Sequence, residues 1–305
     1  MSRIVVCLAV VVATTGCTPG AKFRKVASAP SSHASASTRD SLEEFMDVVR
    51  AKSERARPST ERARTIEGFD QTLAKALQTL TVEPSAASHR AVASNYVRLG
   101  ILDVAHEHFS AAVALDPRDA ASLDGLARIW RDWGFPHLAL PDAYRALHYA
   151  PDSPSVHNTL GTVLQALGRR AEARAHFEKA LALDVTAAYA LSNLCYGWML
   201  EGDASKAADA CRQALRLQPN LEAARNNLAL AYEVGGDSAA ALETLAASGD
   251  EARVAYNQGI LHLASHRYQE ALKAFDTARA ARPRFRAAEA MARQTRAQLH
   301  EVSQP

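Results

Sequence analysis

Small and hydrophobic residues recur along this chain at a period much longer than one helical turn. Alanine occupies five positions, each 34 residues after the previous one: Ala105, Ala139, Ala173, Ala207 and Ala241. Between them, apolar residues three or four positions apart indicate amphipathic helices, and signals for β-strands are absent. A period of this length predicts stacked helix pairs, because each pair buries its apolar face only against its neighbours.

Glycines and further small residues repeat at the same step. Five glycines lie five residues before the alanines, where a turn with positive φ is expected: Gly100, Gly134, Gly168, Gly202 and Gly236. Other small residues fill the slots at which two helices would cross closely: Ala93, Ala127, Gly161, Ala229, Ala112, Ala146, Ala180 and Ala214. A larger side chain there would force the helices apart.

These slots resemble the tetratricopeptide repeat (TPR), over the stretch from Ala86 to Pro283. Six units are predicted to begin near Ala86, Ala120, Pro154, Ala188, Glu222 and Ala252. The last unit is the least regular, since Gln258 replaces the usual leucine and His266 replaces the turn glycine. The resemblance implies an all-α fold, a right-handed superhelical solenoid of antiparallel helix pairs whose first helices line a concave groove.

The N-terminus predicts export. Residues 4–13 are an apolar run that is too short to span a bilayer, so residues 1–16 are predicted to be a signal peptide. The small residues before Cys17 resemble a bacterial lipobox, which implies a lipid on that cysteine. An ordinary cleaved signal peptide is the alternative. Thr18 after Cys17 favours, by resemblance, the outer membrane, with the protein facing the periplasm.

The remaining domain boundaries follow from composition and helical spacing. Residues 17–39 comprise the lipidated cysteine and a polar tether, which is expected to be disordered. Residues 40–84 are predicted to form capping helices, although a separate partner-binding hairpin is an alternative. The six repeats occupy residues 85–285, and residues 286–305 form a C-terminal capping helix and tail.

Composition and motifs give little indication of catalysis. The formal net charge of +2 and the lack of a clustered basic face argue against nucleic acid as a partner. We expect no cofactor, no metal and no small-molecule substrate. His106 and His108 are two residues apart on one helix, so they should face different directions and point to solvent. Asp124 and Asp132 are expected to be solvated or paired with nearby arginines.

A candidate peptide-binding groove lies on the first helices. Asn193, Asn227 and Asn257 share the slot before the leucine position or its equivalent, and a ladder of amides can hold an extended backbone. The alternative is that asparagine occurs there through helix packing alone. The other groove candidates are three tyrosines in the second half and two arginines in the first: Tyr189, Tyr196, Tyr256, Arg90 and Arg128.

Two cysteines of the fourth unit, Cys195 and Cys211, are placed symmetrically about the turn at Gly202. An exported protein meets an oxidising compartment, so the two could form a disulfide between the antiparallel helices. The alternative is that both are small buried hydrophobic residues, the commonest role for a free cysteine in a core.

These features together predict a non-enzymatic, membrane-anchored scaffold that binds protein segments. The chain resembles TPR lipoproteins of tight-adherence, type IV pilus and secretin assembly, which implies partners in an envelope, pilus or secretion machine. Two alternatives remain: a purely structural or self-associating periplasmic TPR protein, and a regulatory subunit of a cell-wall enzyme.

Overall fold

The computed structural model describes residues 70–247 and 249–302, and all regular structure in them is helical. The helices are α1 (Gln71–Val82), α2 (Ala86–Arg98), α3 (Leu102–Leu115), α4 (Ala120–Asp132), α5 (Pro136–Tyr149), α6 (Pro154–Ala166), α7 (Arg170–Leu183), α8 (Ala188–Leu200), α9 (Ala204–Leu217), α10 (Glu222–Val234), α11 (Ser238–Ala246), α12 (Glu251–Ala264), α13 (Tyr268–Ala281) and α14 (Arg286–Val302). The predicted lipid site at Cys17 and the domain boundaries before residue 70 lie outside the described residues.

Consecutive helices form the predicted pairs, from α2/α3 to α12/α13. Five of the six predicted repeat starts coincide with the first residue of a helix, and α12 begins at Glu251, one residue before the predicted Ala252. The 34-residue period therefore predicted the first residue of five of the first helices, and the predicted start of the sixth was one residue late.

The turn inside each pair has the predicted backbone conformation. The five turn glycines have φ values between 72° and 87°. In the sixth repeat His266 takes this position with φ 57°, a left-handed conformation that costs a non-glycine residue about 1–2 kcal/mol. The backbone N–H groups of His266 and Arg267 donate to the carbonyl oxygens of Leu263 and His262, respectively. The glycine turns have the same pattern of hydrogen bonds.

The small-residue slots lie at the helix crossings. The seven alanines of this set are 0% exposed, and Gly161 is buried against the ring of Phe177. An ideal Cβ built on Gly161 would lie 2.5 Å from that ring. The close approach of α6 and α7 therefore depends on a glycine facing a phenylalanine, since protein interiors pack without spare volume.

The chain divides into two compact units, and the described residues 70–151 belong to the first. This unit holds α1 and the repeats α2/α3 and α4/α5. Asp70 caps α1 by accepting from the backbone N–H groups of Thr72 and Leu73. Leu73 is fully buried against Val92 of α2, so α1 covers the apolar face of the first repeat.

The second unit contains the described residues from 152 onward, with four repeats and α14. Its α11 has only 9 residues and ends before Gly249, which has φ 73°. At the other end, Ala288 and Ala292 of α14 are fully buried against α12 and α13, so α14 covers the last repeat.

Candidate functional site

The predicted asparagines form hydrogen bonds between the first helices of consecutive repeats. Asn193 Nδ2 donates to Asn158 Oδ1 at 2.7 Å, and Asn257 Nδ2 donates to Asn226 Oδ1 at 2.9 Å. Asn227 Nδ2 donates to the carbonyl oxygen of Ser192 at 3.2 Å. The polar residues thus follow the first helices, but each is joined to the repeat before it.

Burial divides these three asparagines into two classes. Asn227 is only 8% exposed, so a bound peptide cannot reach its amide in this arrangement. Asn193 and Asn257 are half-buried. An amide has two donor hydrogens and two acceptor lone pairs, so a single hydrogen bond within a pair leaves capacity for a ligand. The two asparagine pairs are therefore the sites at which a peptide backbone could bind.

The partners in these pairs, Asn158 and Asn226, were not among the predicted site residues. They lie in one slot together with Ser192, at steps of 34 residues, directly before the predicted asparagine slot. The repeat alignment contained this signal. The register between adjacent first helices, which pairs this slot with the next repeat's asparagine, becomes visible only in three dimensions.

The three predicted tyrosines differ in their surroundings. Tyr189, near the start of α8, is 38% exposed, and Tyr196 is half-buried on the same helix. Tyr256 packs on the rings of Phe275 and Phe285, with centroids 5.7 and 5.1 Å away, and this burial raises the pKa of its hydroxyl. Tyr189 is therefore the tyrosine best placed to meet a ligand, whereas Tyr256 is part of the hydrophobic core.

The two predicted arginines lie in the first unit. Arg90 Nη1 donates to Asp119 Oδ2 at 2.7 Å, and Asp119 also caps α4 by accepting from Ala121 and Ser122. Arg128 is exposed on α4. Arg90 therefore links α2 to the start of α4, and Arg128 is the more accessible of the two cations.

Burial decides two expectations about polar side chains in this unit. Asp124 is 7% exposed, which excludes solvation and leaves pairing as the alternative, whereas Asp132 pairs with Arg131 at 2.6 Å. His106 does not point to solvent. Its ring packs against the indoles of Trp130 and Trp133, with centroids 5.0 and 5.2 Å away. Burial lowers the pKa of His106 to about 4, because the charged form loses its hydration.

Comparison with known proteins identifies the architecture. Residues 154–186 match the family model of the tetratricopeptide repeat. No curated protein matches the chain by sequence. A crystal structure of the APC/C hetero-tetramer Cut9–Hcn1 superposes with a TM-score of 0.61 at 19% identity, covering 82% of this chain and 52% of that one.

The fold is an all-α TPR solenoid. A tetratricopeptide repeat protein from Parabacteroides merdae gives a TM-score of 0.57 at 17% identity, covering 73% of this chain and 90% of that one. For pilF of Pseudomonas aeruginosa, the TM-score is 0.51 at 18% identity, covering 70% of this chain and 97% of that one. The chain thus spans about half the length of the Cut9–Hcn1 chain and most of the other two. At these identities the likeness concerns the fold alone.

Within the fourth TPR unit, Cys195 of α8 and Cys211 of α9 are joined by a disulfide. Their Cα atoms are 5.3 Å apart, and both residues are 0% exposed. The sequence left open a disulfide or two unbonded buried cysteines, and the structure has the disulfide. This bond links the two helices of the repeat.

Apart from these contacts, the described residues show few features of a metal, membrane or small-molecule site. Among the described residues, no three metal-ligating side chains form a group, and no helix is both long and apolar enough to cross a membrane. Two shallow depressions have volumes of about 540 and 390 Å³, one along α13 and the other among α7, α8 and α9. Neither contains a predicted groove residue. The asparagine pairs and Tyr189 remain the best candidate ligand contacts.

Proposed function

We propose that this chain is a non-enzymatic protein-binding scaffold, anchored to the outer membrane through a lipid on Cys17 and facing the periplasm. In this proposal, it binds extended segments of other proteins along the first helices of its repeats. Its partners belong to an envelope machine such as a pilus or a secretion system.

The observation that carries this proposal is the Asn158–Asn193 pair beside Tyr189. Asn193 and Tyr189 both lie on α8, one turn apart, and Tyr189 is exposed enough to contact a ligand. An amide pair can accept from a peptide N–H and donate to a peptide C=O, whereas a tyrosine supplies the apolar contact typical of binding hot spots. This combination suits a ligand recognised mainly through its backbone.

Peptide binding can be tested with substitutions at the half-buried asparagines. Changing both Asn193 and Asn257 to Ala should weaken binding of peptides selected from a random display library on the wild-type protein. Each lost neutral hydrogen bond is worth about 1 kcal/mol, so the double variant should bind roughly 30-fold more weakly. Circular dichroism should show unchanged helix content.

Asn227→Ala is the matched control, because this asparagine has the same slot but is buried. It should lower stability and leave the affinity of the folded protein close to that of the wild type. If the double variant binds the selected peptides as tightly as the wild type does, the amide pairs are packing elements and the backbone-binding proposal fails.

Lipidation at Cys17 is tested separately. Cells given labelled fatty acid should incorporate it into the wild type and not into Cys17→Ser, and the wild type should sediment with the outer membrane. Equal labelling of both proteins would contradict the anchor. Loss of the anchor would not contradict peptide binding, so the two parts of the proposal fail independently.

The role in an envelope machine rests on two supports. One is the resemblance of the leader and repeats to TPR lipoproteins of pilus and secretin assembly. The other is the similarity in fold to pilF of Pseudomonas aeruginosa. Crosslinking in cells followed by mass spectrometry should therefore recover envelope-assembly proteins. Recovery of only this chain would favour the self-associating alternative, and recovery of a cell-wall enzyme would favour the regulatory one.

A further inference from the structure

Two pairs of histidines face each other across the helices of single repeats. In the first repeat, Nδ1 of His89 on α2 lies 3.0 Å from Nδ1 of His108 on α3. In the third repeat, Nδ1 of His157 on α6 lies 3.0 Å from Nδ1 of His176 on α7. The ring centroids are 5.2 Å apart in both pairs, with interplanar angles of 40° and 32°. The two arrangements are thus nearly the same.

The pairs occupy equivalent slots. Within each pair the residues are 19 positions apart, and the second pair lies 68 positions, or two repeats, after the first. The fourth repeat has Leu191 and Ala210 in these slots, both 8% exposed. Packing of these two slots therefore does not require imidazoles, which are a separate feature of two repeats.

We propose that each histidine pair is a binding site for a divalent transition-metal ion such as Cu²⁺, Ni²⁺ or Zn²⁺. The two Nδ1 atoms are the protein ligands, and water completes the coordination. Each ion thereby crosslinks the two helices of one repeat.

The distance between the nitrogens fits this coordination. Metal–imidazole bonds are about 2.0–2.1 Å long, so two nitrogens in neighbouring positions of one ion are about 2.8–3.4 Å apart, depending on geometry. The observed 3.0 Å lies inside this range. Each ring must turn by roughly 45° from the hydrogen-bonded arrangement for the two lone pairs to converge on one ion.

Transition metals bind the neutral form of imidazole. In a neutral pair one Nδ1 carries the shared proton, which moves to Nε2 of the same ring when the ion binds, so no net proton is released.

The first pair has an additional positioning contact. The His108 ring stacks on Tyr96, with centroids 5.9 Å apart and an interplanar angle of 17°. Since Tyr96 lies on α2 with His89, this contact holds the His108 ring on the side of the helix pair where His89 lies. Fixed ligands lose less entropy on binding a metal, as in other metal sites with supporting neighbours.

The test uses the full chain and pair variants that restore an apolar slot. His157→Leu with His176→Ala reproduces the Leu191/Ala210 pair, and His89→Leu with His108→Ala does the same in the first repeat. Titration with Cu²⁺, Ni²⁺ and Zn²⁺ should show two more bound ions in the wild type than in the combined variant, and one more in the wild type than in each single-pair variant. Metal should raise the Tm of proteins that retain a pair.

The difference between variants is the readout, because the chain has 11 histidines and some background binding is expected. His176→Gln keeps a polar side chain and should also remove one ion, which separates loss of a ligand from loss of folding. His148→Gln, at an exposed position, should bind as the wild type does. Equal uptake and equal Tm shifts in the wild type and the combined variant would overturn the proposal, leaving the pairs as hydrogen bonds only.

Discussion

The contact between Gly161 and Phe177 shows how strictly single residues are selected at the helix crossings. Gly161→Ala would place a methyl group 2.5 Å from a ring that is itself 1% exposed, so the ring has little room to move. Overpacking of this kind costs about 1–3 kcal/mol, which exceeds the gain in helix propensity of about 0.5–1 kcal/mol. We expect a net loss of stability in urea unfolding.

Gly197→Ala is the matched control, because the added methyl group would have Gln165 Nε2 as its nearest neighbour, at 3.6 Å. This substitution should stabilise the protein by about 0.5–1 kcal/mol through helix propensity alone. If Gly161→Ala proved as stable as Gly197→Ala, the account of the crossing would be wrong.

His106 makes the stability of the first unit depend on pH. Its folded pKa of about 4 lies below the value of about 6.5 expected when unfolded, so the unfolded chain binds more protons between these values. Stability is therefore lost as the pH falls below about 6.5. The histidine should account for about 2 kcal/mol of the loss between pH 7 and pH 5.

His106→Leu removes this titration and keeps an apolar side chain against the tryptophans. Urea unfolding at pH 7 and pH 5 should show a smaller loss of stability in the variant than in the wild type. The carboxylates titrate in both proteins, so the difference between them isolates the histidine. Identical losses would mean that the His106 imidazole is hydrated in the folded state.

At the scale of helices, the same two crossing slots hold a ring packed on a glycine in some repeats and a disulfide in another. Residues 16 positions apart face each other as glycine and phenylalanine in Gly161/Phe177 and Gly259/Phe275. In the fourth repeat the same two slots hold Cys195 and Cys211. A disulfide there takes the place of a ring packed on a glycine.

Closing a loop of this length with a disulfide stabilises by about 3 kcal/mol in the chain-entropy model. A reductant should therefore lower the urea midpoint of the wild type. Cys195→Gly with Cys211→Phe copies the neighbouring repeat, so it should fold without the disulfide and be insensitive to reductant. Two reactive thiols at these positions in the unfolded, unreduced mature protein would show that the bond does not form.

The helices were predictable because the 34-residue period repeats several independent signals, so helix starts, glycine turns and small crossing residues reinforce one another. Contacts between neighbouring helices were not. The sequence placed His106 on α3 but could not show that its face meets Trp130 and Trp133. It also placed Asn193 and Asn227 in the same slot, although in the structure Asn193 is half-buried and Asn227 is buried.

At the scale of the whole molecule, the TPR fold follows from the sequence, whereas the contacts within the candidate site were predicted only in part. The first helices do present polar residues in register, but Asn158 and Asn226 were missed, since their role depends on the offset between adjacent repeats. The lipid anchor at Cys17 and the envelope location rest on residues before position 70, and they remain proposals.

The central claim is that the first helices bind a protein partner. Its most direct test is site-specific photocrosslinking in cells, with a benzophenone amino acid replacing Tyr189 on α8 or Leu242 on α11. These positions are 38% and 36% exposed, so their accessibility is nearly the same. They differ in that α8 is the first helix of its repeat and α11 the second. The proposal predicts a discrete crosslinked partner from position 189 and none from position 242. The same products from both positions, or only copies of this chain, would contradict it.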